Sequence, residues 1–274
     1  MKFTKMHGLG NDFVMINDIN EKIDKPSELA IKQCDRHFGI GADGLILICE
    51  SNTADFRMRI FNADGSEAEM CGNGIRCTGK YIYDNKMTNK QEVLIETLGG
   101  IKKLELIVKD GIIENVKVDM GEPILKSENV PIIFNKDIVI DEEFIIDGNA
   151  YRITAVSTGN PHAIVFVEDV DKIDVEKIGR KIENHTLFPN KTNVEFIEVI
   201  SVDKIRVRVW ERGVGETLAC GTAACASTVA SVLNGKTSRK IEVELLGGVL
   251  NFEWTDNNHV FMSGPAKTVF EGEI

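Results

Sequence analysis

The 274-residue sequence carries a weak copy of its first half in its second, and that duplication restricts the fold to one that two similar halves can build. Gly10-Asn11 falls on Gly159-Asn160 (159 − 10 = 149), and each pair is followed by an apolar run, VMI at 14–16 and IVFV at 164–167. Cys71-Gly72 falls on Cys220-Gly221 at the same offset (220 − 71 = 149), with Glu67 and Glu216 each four residues ahead of its cysteine. Gly99-Gly100 meets Gly247-Gly248 (247 − 99 = 148). Three landmarks that keep their spacing over roughly 90 residues describe two homologous halves, each supplying one cysteine.

Hydrophobic patterning gives the halves their elements. Short alternating stretches (KFTKM, FRMRIF, VLIETL, KLELIV, VKVDM, YRITAV, AIVFV, KIRVRVW, IEVELL, LNFEW) predict strands. Helices are few and are expected at about 27–37, 73–86, 174–184 and 222–234, two of them starting directly after Cys71-Gly72 and Cys220-Gly221. The expectation is an α/β (α+β) protein of two pseudo-symmetric domains. One comprises residues 1–118 plus 264–274 and carries Cys71; the other comprises 119–263 and carries Cys220, with DMGEP at 119–123 as the crossover.

Composition removes several function classes. The net charge is −11 with a pI near 5.1, and the basic residues are dispersed, which argues against a nucleic-acid partner. No run of about eighteen apolar residues suggests a membrane span, and MKFTKMHGLGNDF lacks a signal peptide's apolar segment, so a cytoplasmic protein is expected. The six cysteines are then free thiols by default. No CxxC occurs, and the Cys71–Cys77 and Cys220–Cys225 spacings are wider than zinc sites use, so no metal is expected. GIGADG at 39–44 formally matches a dinucleotide-binding fingerprint, but a helix precedes it and the apolar run LILI follows, the reverse of the required context.

The chemistry lies at the two cysteines. A thiol at a helix N-terminus faces free backbone N–H groups and the positive end of the helix dipole, which favour the thiolate. The small residues that follow, GNG and GTAA, let a carboxylate approach the same N–H groups. Two such sites acting on one carbon could invert it: a thiolate removes a proton from one face and a thiol returns one to the other. The bland reading, small buried hydrophobes, suits Cys34, Cys49, Cys77 and Cys225. The equivalent placement of Cys71 and Cys220, each followed by glycine, favours catalysis there.

KMHGLGNDFV, FNADGSEAEMCGNGIRC, GNPHAIVFV, TNVEF and ERGVGETLACGTAACA, in that order, resemble the signatures of the diaminopimelate epimerase family over essentially the whole chain. The resemblance implies two domains, each a barrel-like mixed sheet wrapped around a central helix. It implies interconversion of LL- and meso-diaminopimelate without pyridoxal phosphate or other cofactor, on the route to lysine and peptidoglycan, by a homodimer. By the same resemblance Cys71 and Cys220 are the catalytic thiols. Gly72, Asn73, Gly221 and Thr222 would hold the reacting carboxylate, with Asn11 at the same end; Asn62, Asn160, Asn193 and Arg212 would contact the distal end, with Glu211 near its ammonium. His162 and Glu211 would tune the thiols. As residue types the assignment is sensible, since Arg212 can grip a carboxylate bidentately, although asparagines also form turns, Asn62 in FNADG among them.

Two positions depart from the family pattern. Gly44 stands where some members have glutamine, and Phe270 where some have a tyrosine at the dimer contact. A proline or hydroxyproline racemase would show CGHG in place of CGNG and would leave Arg212 without a distal carboxylate. A non-catalytic amino-acid-binding protein would be marked by the loss of one cysteine.

Overall fold

The computed structural model describes residues 1–146 and 148–274. In chain order the elements are β1 (Lys2–Gly8), β2 (Asn11–Asn17), α1 (Pro26–Cys34), β3 (Gly44–Cys49), β4 (Phe56–Asn62), β5 (Glu67–Ala68), α2 (Gly72–Asp84), β6 (Glu92–Thr97), β7 (Gly100–Lys109) and β8 (Ile112–Asp119). There follow β9 (Glu142–Ile146), β10 (Asn149–Ser157), β11 (Pro161–Phe166), α3 (Val175–Glu183), β12 (Asn193–Ser201), β13 (Lys204–Glu211), β14 (Gly215–Thr217), α4 (Gly221–Leu233), β15 (Lys240–Leu245), β16 (Gly248–Trp254), β17 (Val260–Gly264) and β18 (Lys267–Glu273). The chain forms two compact units, Met1–Asp119 with Ser263–Ile274, and Met120–Met262.

Each unit is a mixed sheet curled about a buried helix. In the first, β18, β1 and β2 run antiparallel in turn, β2 is parallel to β3, β3 antiparallel to β4, β4 parallel to β6, and β6, β7 and β8 antiparallel, with β5 folded back on β4. The second repeats the scheme with β9, β10, β11, β12, β13, β15 and β16, and β14 folded on β13. Helix α2 touches β1, β2, β3, β4, β7 and β8; helix α4 touches β10, β11, β12, β13, β15 and β16. The helix pairs keep the sequence offset at both ends: α2 and α4 (221 − 72 and 233 − 84), α1 and α3 (175 − 26 and 183 − 34), 149 in every case.

Burial follows from this layering. GLILIC of β3 is buried at all six residues, because α2 lies on one face and α1 on the other, whereas KLELI within β7 alternates because only one face is covered. Gly79 lets α2 sit low on its sheet: a Cβ there would lie 2.9 Å from Leu104 Cδ2 and 3.0 Å from Leu106 Cδ2. On the outside of the second unit, α3 lies so close that a Cβ on Gly179 would come within 2.6 Å of Trp210 Cβ. The duplication extends to side chains. Arg59 grips Glu67 through Nε and Nη2 at 2.7 and 2.9 Å, and Arg208 grips Glu216 in the same way at 2.7 and 3.0 Å (208 − 59 = 216 − 67 = 149).

The expected strands are all present, and the four helices fall where the patterning placed them, with one correction. Helix α1 stops at Cys34 instead of continuing to about 37, because Asp35 leaves helical geometry (ψ 124°) and its carboxylate accepts the N–H groups of His37 and Phe38, both at 2.7 Å. A strand, β3, follows GIGADG, as the rejection of the dinucleotide motif required. Among the described residues no helix is long and apolar enough to cross a membrane.

Candidate active site

In the first unit Cys71 is the N-cap of α2. Its backbone is extended (φ −140°, ψ 121°), and its sulfur accepts the Gly74 N–H at 3.4 Å, the position usually taken by a Ser or Asp oxygen. Gly72, Asn73 and Gly74 are buried in the first helical turn, and a Cβ on Gly74 would strike Ile46 Cδ1 at 2.8 Å, so the turn depends on small residues. The Cys71 thiol points to Asn11 Oδ1 at 3.6 Å, and Asn73 Nδ2 donates to the same oxygen at 3.1 Å. Four of the expected site residues (Asn11, Cys71, Gly72 and Asn73) are thus brought together. Asn62 closes the β4–β5 turn, its amide donating to Ser66 Oγ at 3.0 Å, which is the turn role its sequence context also allowed. At Gly44 a Cβ would lie 2.8 Å from the Phe61 carbonyl oxygen, so this backbone leaves no room for the glutamine of other members.

In the second unit Cys220 occupies the same N-cap position before α4, also extended (φ −128°, ψ 118°), and is buried. Thr222 Oγ1 is 3.3 Å from its sulfur. Burial pushes this thiol well above its ordinary range, and the Glu211 charge adds to the effect, while the Thr222 hydroxyl and the Ala223 N–H oppose it. At Cys220 burial therefore acts against the lowering expected of the helix terminus. Glu211 is held at the end of β13 by the Thr217 hydroxyl, which donates to Oε1 at 2.5 Å.

His162, fully buried on β11, links several of these groups. Its Nδ1 is 2.7 Å from Glu195 Oε1, and its Nε2 is 2.9 Å from Asn160 Oδ1 and 3.3 Å from Thr158 Oγ1. The Thr158 hydroxyl in turn donates to the Thr222 carbonyl at 3.3 Å, so the histidine reaches the first turn of α4 through one side chain. Asn193 ties two loops together: its Nδ2 donates to the Pro161 carbonyl at 2.8 Å and its Oδ1 accepts the Arg212 N–H at 3.0 Å. The exposed Arg212 guanidinium donates to the Asn190 carbonyl at 3.1 Å.

Sequence reasoning did not single out Glu195, Glu183 or Asp43. Glu183 is buried and accepts from Trp210 Nε1 (2.8 Å) and Gly213 N (2.9 Å), pinning the turn that carries Arg212. Glu195 could have been found, because a carboxylate stands at a core position of the strand NVEFIEV. No comparable local signal marks Asp43.

The diaminopimelate epimerase family model matches residues 3–126 and 154–269. The chain belongs to the diaminopimelate epimerase family. Among diaminopimelate epimerases it is 60% identical to that of Acetivibrio thermocellus, covering 100% of this chain and 98% of the relative, and 58% identical to that of Methanococcus maripaludis strain S2, covering 100% and 99%. Solved structures share the fold at low identity. A PhzF-family phenazine biosynthesis protein from Bacillus anthracis aligns with TM-score 0.72 at 19% identity (100% and 98% covered), and a probable proline racemase from Agrobacterium radiobacter with 0.71 at 13% (100% and 92%). Diaminopimelate epimerase is thus the family that sequence identity selects within a fold also used by racemases.

Proposed function

We infer that this chain interconverts LL- and meso-diaminopimelate, with Cys71 and Cys220 as the acid–base pair. The observation that carries the assignment is their shared position: two thiols 149 residues apart, each the N-cap of a buried helix whose first turn is built from small residues. A thiolate takes the α-proton, so that the C–H bond breaks, an S–H bond forms and the electron pair stays on carbon. The second thiol gives its proton to the opposite face and becomes the thiolate, which resets the enzyme for the reverse direction. The reading requires both sulfurs to reach one carbon. The first-turn N–H groups, at Gly72 and Asn73 and at Gly221 and Thr222, would hold the α-carboxylate and take up the charge that grows on its oxygens.

Asn11 would meet the reacting end. For the distal end the reading uses Arg212 as a fork for the carboxylate, Glu211 for the ammonium, and Asn62, Asn160 and Asn193 around them. Asn193 would act chiefly by shaping the Arg212 turn, given the contacts its amide makes. His162 and Glu211 would tune Cys220, Glu211 through its charge. The same reading makes a cytoplasmic homodimer the expected form.

The test is isotopic. Purified protein without pyridoxal phosphate, incubated in heavy water with LL-diaminopimelate or with L-proline, should place deuterium on the α-carbon of the first only. Exchange into proline alone would move the chain to the racemases.

A further inference from the structure

Asn11 belongs to a chain of hydrogen bonds with a fixed direction. At one end the buried Arg76 donates through Nη2 to Asn73 Oδ1 at 2.9 Å. Asn73 Nδ2 then donates to Asn11 Oδ1 at 3.1 Å, and Asn11 Nδ2 donates to Asp43 Oδ2 at 2.8 Å. A guanidinium can only donate and a carboxylate can only accept, so the two ends independently demand the same orientation of both amides. Asp43 is itself anchored. Arg36 Nη2 donates to its Oδ1 at 2.7 Å, and the Asp12 N–H reaches its Oδ2 at 3.1 Å. Arg36 and Lys5 also hold Asp12, at 2.9 and 2.6 Å. With its NH2 group committed to Asp43, Asn11 has only an acceptor to turn toward Cys71.

The arrangement exists in one half only. The counterparts of Asp12 and Asp43 are Pro161 and Thr192 (161 − 12 = 192 − 43 = 149), and the counterpart of Asn11, Asn160, has its Oδ1 against His162 Nε2. An otherwise duplicated pair of cysteines thereby receives two different neighbours.

We propose that Asp43 is a positioning residue that locks the Asn11 amide with its carbonyl oxygen toward Cys71, so that the thiol form of Cys71 has a fixed acceptor for its proton. The proposal rests on Cys71 being one of the two acid–base thiols, but its test does not depend on turnover.

Asp43→Asn replaces a pure acceptor by an amide. Arg36 then draws the new carbonyl to itself and the new NH2 meets the Asn11 NH2; relief of that donor–donor contact turns the Asn11 amide, with its own NH2 toward Cys71, against the one bond from Asn73 Nδ2 that still favours the parent orientation. A donor in place of an acceptor favours the thiolate. Iodoacetamide labelling of Cys71, followed by peptide mapping across pH, should therefore shift to lower pH by roughly one unit, about tenfold in thiolate fraction below the midpoint. Other charges on the elements packed around α2 (Lys5, Asp12, Arg76, Lys117 and Asp119) are the same in both proteins, so they cancel in the comparison. Asn11→Leu should shift Cys71 in the same direction, with no further shift in the double variant. Arg36→Met removes the ion pairs but leaves the Asp43–Asn11 bond, and should lower the urea midpoint without moving the Cys71 profile. If Asp43→Asn does not fold, Asp43→Ser, whose hydroxyl no longer dictates the Asn11 orientation, is read in the same way.

An unmoved Cys71 profile in folded Asp43→Asn overturns the proposal, as does an equal shift in Arg36→Met. Either result leaves the two-thiol reading standing. Full epimerase activity in Cys71→Ala would instead sink that reading while the labelling shift still tested Asp43.

Discussion

His162 Nδ1 lies 2.7 Å from Glu195 Oε1, and both side chains are completely buried. Burial raises the Glu195 carboxyl above its ordinary range against the pull of His162, and Glu195 Oε2 has no hydrogen-bond partner. A protonated Glu195 that donates to Nδ1 satisfies both observations, since an unpartnered carbonyl oxygen is cheaper to bury than an unpartnered carboxylate oxygen. Glu195→Gln, which also donates, should then retain activity within about tenfold, roughly 1.4 kcal/mol in the barrier. Glu195→Ala should lose about 1–3 kcal/mol of stability by taking away the partner of the buried His162 Nδ1. Urea unfolding and kcat/KM of the two variants provide the check, and a glutamine variant as damaged as the alanine one would contradict the protonated acid.

Removing either thiol should stop epimerisation. Cys71→Ala and Cys220→Ala should each reduce kcat by at least about 10³-fold, and the serine variants should keep only residual turnover because an alkoxide is far harder to form than a thiolate. Optical rotation with LL-diaminopimelate follows the loss directly. Undiminished turnover in either alanine variant refutes the assignment.

The pH response of Cys220 follows from its surroundings. A thiol raised by burial and by the Glu211 charge stays protonated until the pH has passed its ordinary value of 9.0, so its alkylation in the free protein should accelerate only above that point. Glu211→Gln removes a negative charge and should bring the onset to lower pH. Mass-spectrometric labelling of the Cys220 peptide reads the shift; an onset that stays in place, or moves upward, would show that Glu211 does not act on this thiol.

Gly179→Ala tests the outer layer of the second unit. The added methyl would lie 2.6 Å from Trp210, and α3 would have to lift from the sheet. A loss of about 1–3 kcal/mol is expected in urea unfolding, with a change in Trp210 emission. A variant as stable as the parent would mean that α3 can slide without loss.

The duplication made much of this legible in the sequence. A repeat with one offset carries helix ends and cysteine positions with it, and period-2 alternation marks each strand whose two faces meet different surroundings. Features set by the tertiary environment were less readable. The two cysteine motifs look alike, yet the buried position of Cys220 near Glu211 reverses the pull that its helix alone would exert. Asn193 resembles a ligand contact in sequence, but its amide is taken up by Pro161 and Arg212, which are distant in sequence from each other. Asp43 gave no sign because its significance lies in which atom of Asn11 it occupies.

The Arg59–Glu67 and Arg208–Glu216 clamps, with matching geometry at matching places, give mutagenesis of this protein a built-in reference. A change in one half can be made again at its counterpart, in the same tube and on the same architectural part. Whatever differs between the two outcomes then reports the local surroundings, because the backbone framework is common to both.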